Sequence, residues 1–303
     1  MVGAASALRL RATGFDVTLI DPGRAERAAS YGNIGCIAAE QCEPLASPRT
    51  LLTFPSLLFA FGGPLDFRWR DAALWGPWAL RFLRACAPDR FAHGVRALSA
   101  LLNQALGAWQ RLCALAGTPS LMLACGHSVL WMDARRGERG VAEWRRTDVG
   151  ATTFRELTTE ELASYGAAMT RAPARGISFT GTGKLADPQG VRDALLAEFV
   201  RRGGLIRKDS VQALTSHEDG VTAGLASGEV LRAGAALISA GAWSAKLMAD
   251  LGAPAPLIGE RGYSVRSETH TWPTDLPPAV FEERALVVNL LTSGLRASSF
   301  VEF

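Results

Sequence analysis

The chain has 303 residues, 32 lysines and arginines against 29 aspartates and glutamates, a formal net charge of +3, and 48% hydrophobic residues. That usage excludes an intrinsically disordered chain, which is poorer in apolar residues, and so small a charge leaves no electrostatic footprint for nucleic acid. The length supports two domains, while five cysteines without a CxxC pair and four isolated histidines point to neither a disulfide framework nor a metal site and fit a reducing, cytoplasmic setting.

Gly3 to Ala12 reads as a helix of small and apolar residues, stopped by Gly14. Phe15 to Ile20 then reads as a buried strand, closed by Asp21 and turned by Pro22-Gly23. Helix, glycine stop, strand and terminal acid match the second half of a dinucleotide-binding βαβ unit. There an acid about 20 residues past the glycine fingerprint reaches ribose hydroxyls. Gly3 stands in the place of the third fingerprint glycine, and the first strand and first two glycines are absent from the sequence. A plain surface helix followed by a strand is the other reading of the same residues. Ala28 to Gly35 is a glycine-spaced polar loop that either brings backbone N–H groups and the Ser30 hydroxyl to a ligand or forms a surface turn.

Leu51 to Phe61 is apolar, contains Pro55 and is too short to span a bilayer. It reads as a core helix, with a patch resting on a membrane surface as the alternative. From about Phe54 to Gly117 the pattern is helical. Leu98, Leu101, Leu102, Ala105, Leu106, Trp109, Leu112 and Cys113 form one apolar face, ended by Gly117. Trp69, Trp75, Trp78 and Phe82 read as packing anchors. Thr158 or Thr159 caps a helix that begins near Glu160. His127 follows Gly126 in a segment that could face a ligand, although a lone histidine is ordinarily structural.

Asp187 and Pro188 read as the N-cap and first residue of a helix with Val191, Leu195 and Phe199 inward and Gly203-Gly204 at its end. The segment Leu205 to Val211 follows, then two strand-like pieces around Val221 and Val230. Ala235 to Ala240 then reads as a buried strand running into Gly241-Ala242-Trp243-Ser244 and a helix. A dinucleotide-type domain therefore resumes after a helical insertion. Leu257 to Arg266, Leu286 to Leu291 and Leu295 to Phe303 read as strands of an antiparallel sheet in a second domain.

Together these pieces resemble the flavin-dependent D-amino acid dehydrogenases of the D-amino acid oxidase superfamily. The carriers are Gly3 and Asp21, Ala29 to Gly35, Pro44 to Pro48, Trp78 to Leu83, Asp187-Pro188, Gly241 to Ser244, Arg261 to Ser264, and Gly294 to Arg296 with Glu302-Phe303. The fold that the resemblance implies is α/β: a Rossmann-like FAD-binding domain lacking its first strand (1–48 and 176–254), plus an α+β substrate domain with an antiparallel sheet and a helical insertion (49–175 and 255–303). The cofactor implied is FAD. Gly3 would lie under the pyrophosphate and Asp21 on the adenosine ribose. Ser30, Asn33 and Gly35 would lie along the cofactor, Val211 at the adenine, and Gly241 and Trp243 near the dinucleotide. Arg296 would bind the substrate carboxylate, with Tyr263 as a second donor; a surface strand position is the alternative for both.

The resemblance implies oxidative deamination of D-amino acids to 2-oxo acids and ammonia, by hydride transfer from Cα to the flavin. The alternatives are oxidation of a secondary amine such as a D-proline derivative, of glycine or of sarcosine, or an inactive fragment with both domains incomplete. Ser299 departs from the glycine common in the family. The expected partners are a small amino-acid substrate and a respiratory quinone or other electron acceptor. The expected setting is cytoplasmic, with at most peripheral contact with the inner face of the cell membrane.

Overall fold

The computed structural model describes residues 1–24, 26, 28–58, 65–66, 69–257 and 259–302. Phe59 to Phe61 of the apolar run, Ile258 and the terminal Phe303 of the expected strands lie outside them. In chain order the elements are α1 (Val2–Ala12), β1 (Thr18–Ile20), β2 (Cys36–Ile37), α2 (Pro48–Leu57), β3 (Leu65–Asp66), α3 (Ala72–Ala85), α4 (Pro88–Leu102) and α5 (Ala105–Leu115). Next come β4 (Met122–Leu123), β5 (His127–Trp131), α6 (Ala134–Trp144), β6 (Thr153–Glu156), α7 (Thr159–Gly166), β7 (Arg175–Thr180), β8 (Gly183–Leu185) and α8 (Pro188–Arg201). The last are β9 (Leu205–Arg207), β10 (Val211–His217), β11 (Gly220–Leu225), β12 (Val230–Ala233), α9 (Ser244–Asp250), β13 (Arg261–Ser267), β14 (Ala279–Phe281), β15 (Leu286–Leu291) and β16 (Gly294–Glu302).

Two compact units result, residues 1–33 with 189–259 and residues 34–188 with 260–303. Residues 34–48 and 176–188, read from the sequence with the first domain, pack within the second unit. The reason is hydrogen bonding: β8 pairs with both β2 and β4.

In the first unit, α1 buries Ala4, Ala7 and Leu8, one stripe at three- and four-residue steps. Gly14, at φ 97, terminates it. The N–H of Phe15 reaches Leu10 O and that of Gly14 reaches Arg11 O, which satisfies the last carbonyls. The face predicted for α8 is observed, since Val191, Leu195 and Phe199 are fully buried. Burial of each contributes roughly 1.5–3 kcal/mol. Arg11 Nε donates to Arg202 O at 2.7 Å and so ties the C-terminal ends of the two helices together. Strands β1 and β9 pair in parallel, and β10, β11 and β12 form an antiparallel meander.

Two expectations fail in this unit. The strand read over Phe15 to Ile20 is ordered only from Thr18, and Phe15 is exposed. Ala235 to Ala240, read as a buried strand, forms no strand and is largely exposed. Among the described residues no strand pairs with it, and apolar composition alone does not hold a backbone extended without a ladder.

The second unit is built on a mixed sheet ordered β13-β16-β15-β14-β5-β7-β6, with β3 beside β16. Most pairs are antiparallel, as the sequence suggested; β14 with β5 and β16 with β3 are parallel. Alternation along the strands gives the sheet two apolar faces. One packs Val129, Trp131, Ile177 and Phe179 against Val141 of α6. The other packs Leu130, Ala279, Phe281 and Val288 against Tyr165 of α7 and Trp272.

The single apolar face read over Leu98 to Cys113 is divided between α4 and α5, because Asn103 ends α4. Its side chain leaves the helix surface to accept the N–H of Ala151 at 2.8 Å. In α2, Leu51 and Leu52 are exposed, contrary to a core helix. Thr158 is the cap of α7, and its hydroxyl and Glu161 form the reciprocal capping box.

Candidate functional site

Helix α1 and strand β1 run in opposite senses through a short connection. The N-terminus of the helix and the C-terminus of the strand therefore lie at one end of the first unit. Helix α1 has no side-chain cap and no acidic residue in its first turn, so its N–H groups remain available to an anion. Asp21 follows the last residue of β1. It is exposed, and its Oδ1 accepts the Gly23 N–H at 2.8 Å. Burial lowers the pKa of the Met1 amine; the Arg192 charge lowers it further and the Asp21 charge opposes this, so both charges lie close to the helix start.

Gly3 is where the helix meets its surroundings most closely. A Cβ there would stand 2.8 Å from Ser239 Oγ and 3.7 Å from Leu19 Cδ1. The third glycine of a dinucleotide fingerprint serves helix–strand packing; here the contact with β1 is an ordinary one and the tight neighbour is the Ser239 hydroxyl.

The loop after Asp21 turns through Ser30, whose carbonyl accepts the Asn33 N–H at 3.4 Å. Gln189 Nε2 donates to the carbonyl of Tyr31 and holds the turn against the start of α8. Asn33 is exposed and Ser30 half-buried. Val211 opens β10 opposite Leu225. Gly241, at φ 59, opens a single 3-10 turn with no atom within 4 Å of an added Cβ, and Trp243 beside it is 64% exposed. Uncapped amides that donate, a strand-end acid that accepts and open glycine backbone are the groups a dinucleotide engages, so these residues fit FAD.

Gly35 falls in the second unit. Its φ is 77, and a Cβ would stand 2.6 Å from the carbonyl oxygen of Leu185. The same unit holds both substrate candidates but does not bring them together. Arg296 pairs with Arg266 and Asn289, whereas Tyr263 pairs with Ser299, three residues further along β16. The two side chains therefore point to opposite faces of the sheet. Arg296 is 9% exposed and so is no surface residue, while Tyr263 is 47% exposed.

Two residues on the Arg296 face, Asn289 and Lys184, were not singled out by the sequence reading. Asn289, 1% exposed, lies directly opposite Arg296. Lys184 of β8 donates to Asn289 Oδ1 at 3.2 Å and to Leu290 O at 3.0 Å. A polar residue inside the run Leu286-Val-Val-Asn-Leu-Leu was the available signal for Asn289. At the other end of this face His127 is buried, stacked on Phe179 with ring centroids 4.8 Å apart, and its Nδ1 lies 2.9 Å from Thr182 Oγ1. Its Nε2 lies 3.5 Å from Oε1 of Glu40, itself only 2% exposed. Burial pushes the Glu40 carboxyl up to about 7 and the His127 imidazole down to about 4. These contacts support the structural reading of His127.

A family model described as FAD dependent oxidoreductase matches residues 1–294. The chain is 32% identical, over 99% of its length, to a D-amino-acid oxidase of Bradyrhizobium diazoefficiens, and spans 72% of that protein. It is 28% identical, over its whole length, to a D-amino acid dehydrogenase of Dechloromonas aromatica, and spans 75% of it. Among solved structures, iminodiacetate oxidase from Chelativorans superposes with a TM-score of 0.63 at 16% identity, over 98% of this chain and 68% of that one. Glycine oxidase from Geobacillus kaustophilus superposes with a TM-score of 0.59 at 17% identity, with the same coverage. The structural matches establish the fold.

Proposed function

The chain belongs to the family of FAD-dependent oxidoreductases, and from that premise we propose that it oxidises the α-carbon of D-amino acids, which yields 2-oxo acids and ammonia. The observation that carries this reading is Arg296, a guanidinium buried in the large sheet of the second unit. A buried arginine suits an α-carboxylate because its fork makes two parallel hydrogen bonds in a fixed plane. Asn289 beside it extends the polar strip on the same face. Tyr263, on the other face, is not assigned to this carboxylate.

The uncapped start of α1 with Gly3 would hold the FAD pyrophosphate, and Asp21 the adenosine ribose. Ser30, Asn33 and Gly35 would line the cofactor, Val211 its adenine, and Gly241 and Trp243 the dinucleotide. When bound, FAD takes up the substrate's α-hydrogen with two electrons. The protein's part is to fix the carboxylate, favour the neutral amine and exclude water. An amine bound neutral needs no dedicated protein base.

No helix among the described residues is long and apolar enough to cross a membrane. A cytoplasmic setting is proposed, with electrons leaving to a respiratory quinone or another acceptor through at most peripheral membrane contact. Support for an acceptor of this kind is the name of the Dechloromonas dehydrogenase. The test is anaerobic bleaching of the flavin-loaded protein by paired D- and L-amino acids, glycine, sarcosine and D-proline. Bleaching by D-amino acids alone supports the proposal. Bleaching confined to glycine or secondary amines moves the substrate assignment to that class, and no bleaching by any of them refutes it.

A further inference from the structure

Lys184 and Asn289 form a buried polar pair to which the proposed chemistry gives no task. Lys184 lies mid-strand in β8 and is 6% exposed. Burying an ammonium costs several kcal/mol, and a hydrophobic residue of similar volume would commonly fill such a place at no loss of stability. Burial also holds the Lys184 pKa below the ordinary lysine value.

The geometry gives the pair a purpose. A lysine can only donate, so the Asn289 atom 3.2 Å from Nζ must be the amide oxygen. That fixes the opposite edge of the amide, and Nδ2 donates to the carbonyl of Ile34 at 2.7 Å. Strand β8 holds the same segment through its backbone, with Leu185 N donating to Gly35 O at 2.8 Å and Cys36 paired with Lys184. Two consecutive carbonyls, of Ile34 and Gly35, are thus gripped from one side by Asn289 and from the other by β8.

We propose that Lys184 and Asn289 are positioning residues: the lysine orients the Asn289 amide, which locks the Ile34 carbonyl so that the Ile34–Gly35 backbone is preformed to receive the cofactor. This inference rests on the reading of Asn33 and Gly35 as cofactor-lining residues.

The decisive variant is Asn289→Asp. It keeps the size and the acceptor for Lys184 but presents an oxygen to the Ile34 carbonyl in place of a donor. Lys184→Met is the second variant, which preserves volume and frees the amide to turn over. Three readouts apply to each protein: amide hydrogen exchange at Cys36 and Ile37 without cofactor, FAD affinity by fluorescence titration, and visible circular dichroism of the bound flavin. In Asn289→Asp, exchange rises, FAD affinity falls roughly tenfold or more and the flavin signature changes, because a half-buried carbonyl has lost its donor. Lys184→Met moves the same readouts less far. Asn33→Ala probes the underlying reading directly and lowers FAD affinity without raising exchange. Folded Lys184 and Asn289 variants with wild-type exchange and affinity overturn the inference. Raised exchange with unchanged FAD affinity in those variants and in Asn33→Ala overturns the cofactor-lining reading instead.

Discussion

Replacing Gly35 with alanine tests whether the turn before β2 is as tightly built as its geometry states. Two costs add. A left-handed φ of 77 disfavours any residue with a Cβ by about 1–2 kcal/mol. The new Cβ would also stand 2.6 Å from the Leu185 carbonyl oxygen, 3.2 Å from Pro188 Cγ and 3.3 Å from Leu291 Cδ2. The first of these is a backbone atom and cannot swing aside. Relief requires β8 to draw back, which loses the Leu185 N–H to Gly35 O bond and its net contribution of about 1 kcal/mol. The expected loss is about 2–3 kcal/mol. Gly117, in the same unit, is the control, for its φ is 74 but no atom lies within 4 Å of an added Cβ. Gly117→Ala should therefore cost only the conformational part, about 1–2 kcal/mol. Urea unfolding of the two variants and the parent, followed by tryptophan fluorescence, measures the difference. Equal losses in the two variants would refute the argument from close approach and leave only backbone strain.

Three other outcomes are expected. The raised Glu40 carboxyl contributes stability that is full below about 4.5 and is lost as pH climbs through about 7, whereas the lowered His127 imidazole costs stability as pH drops from about 6.5 toward 4. The slopes oppose each other. Glu40→Gln should make urea midpoints rise with pH across that window and His127→Asn should make them fall, and parallel profiles in all three proteins would contradict the assignment. Arg296→Lys should lower kcat/KM for a D-amino acid roughly tenfold or more, by loss of the second parallel hydrogen bond, and leave FAD affinity unchanged; steady-state kinetics beside a flavin titration decide it. Thr158→Ala removes the capping box of α7 and should cost about 1 kcal/mol in urea unfolding with no effect on flavin binding.

Features that depend on a few neighbouring residues were determined by the sequence itself. The glycine stop of α1, the inward face of α8, the cap of α7 and the 3-10 turn at Gly241 are set by side-chain period, missing Cβ atoms and local hydrogen bonds, and each stands where its residues put it. The cofactor family came from the resemblance carried by the order of motifs along the chain, not from any one of them.

Register and long-range pairing were decided by the tertiary structure alone. Ala235 to Ala240 has strand composition but no strand beside it, so it stays irregular. Tyr263 and Arg296 both lie on strands, yet their pairing partners set them on opposite faces, a matter of one residue's parity. Asn289 reaches Ile34 across 255 positions of chain, and Lys184 reaches Asn289 across 105. No periodicity within either segment encodes those meetings; they exist because β8 and β15 are held where they are by their own sheets.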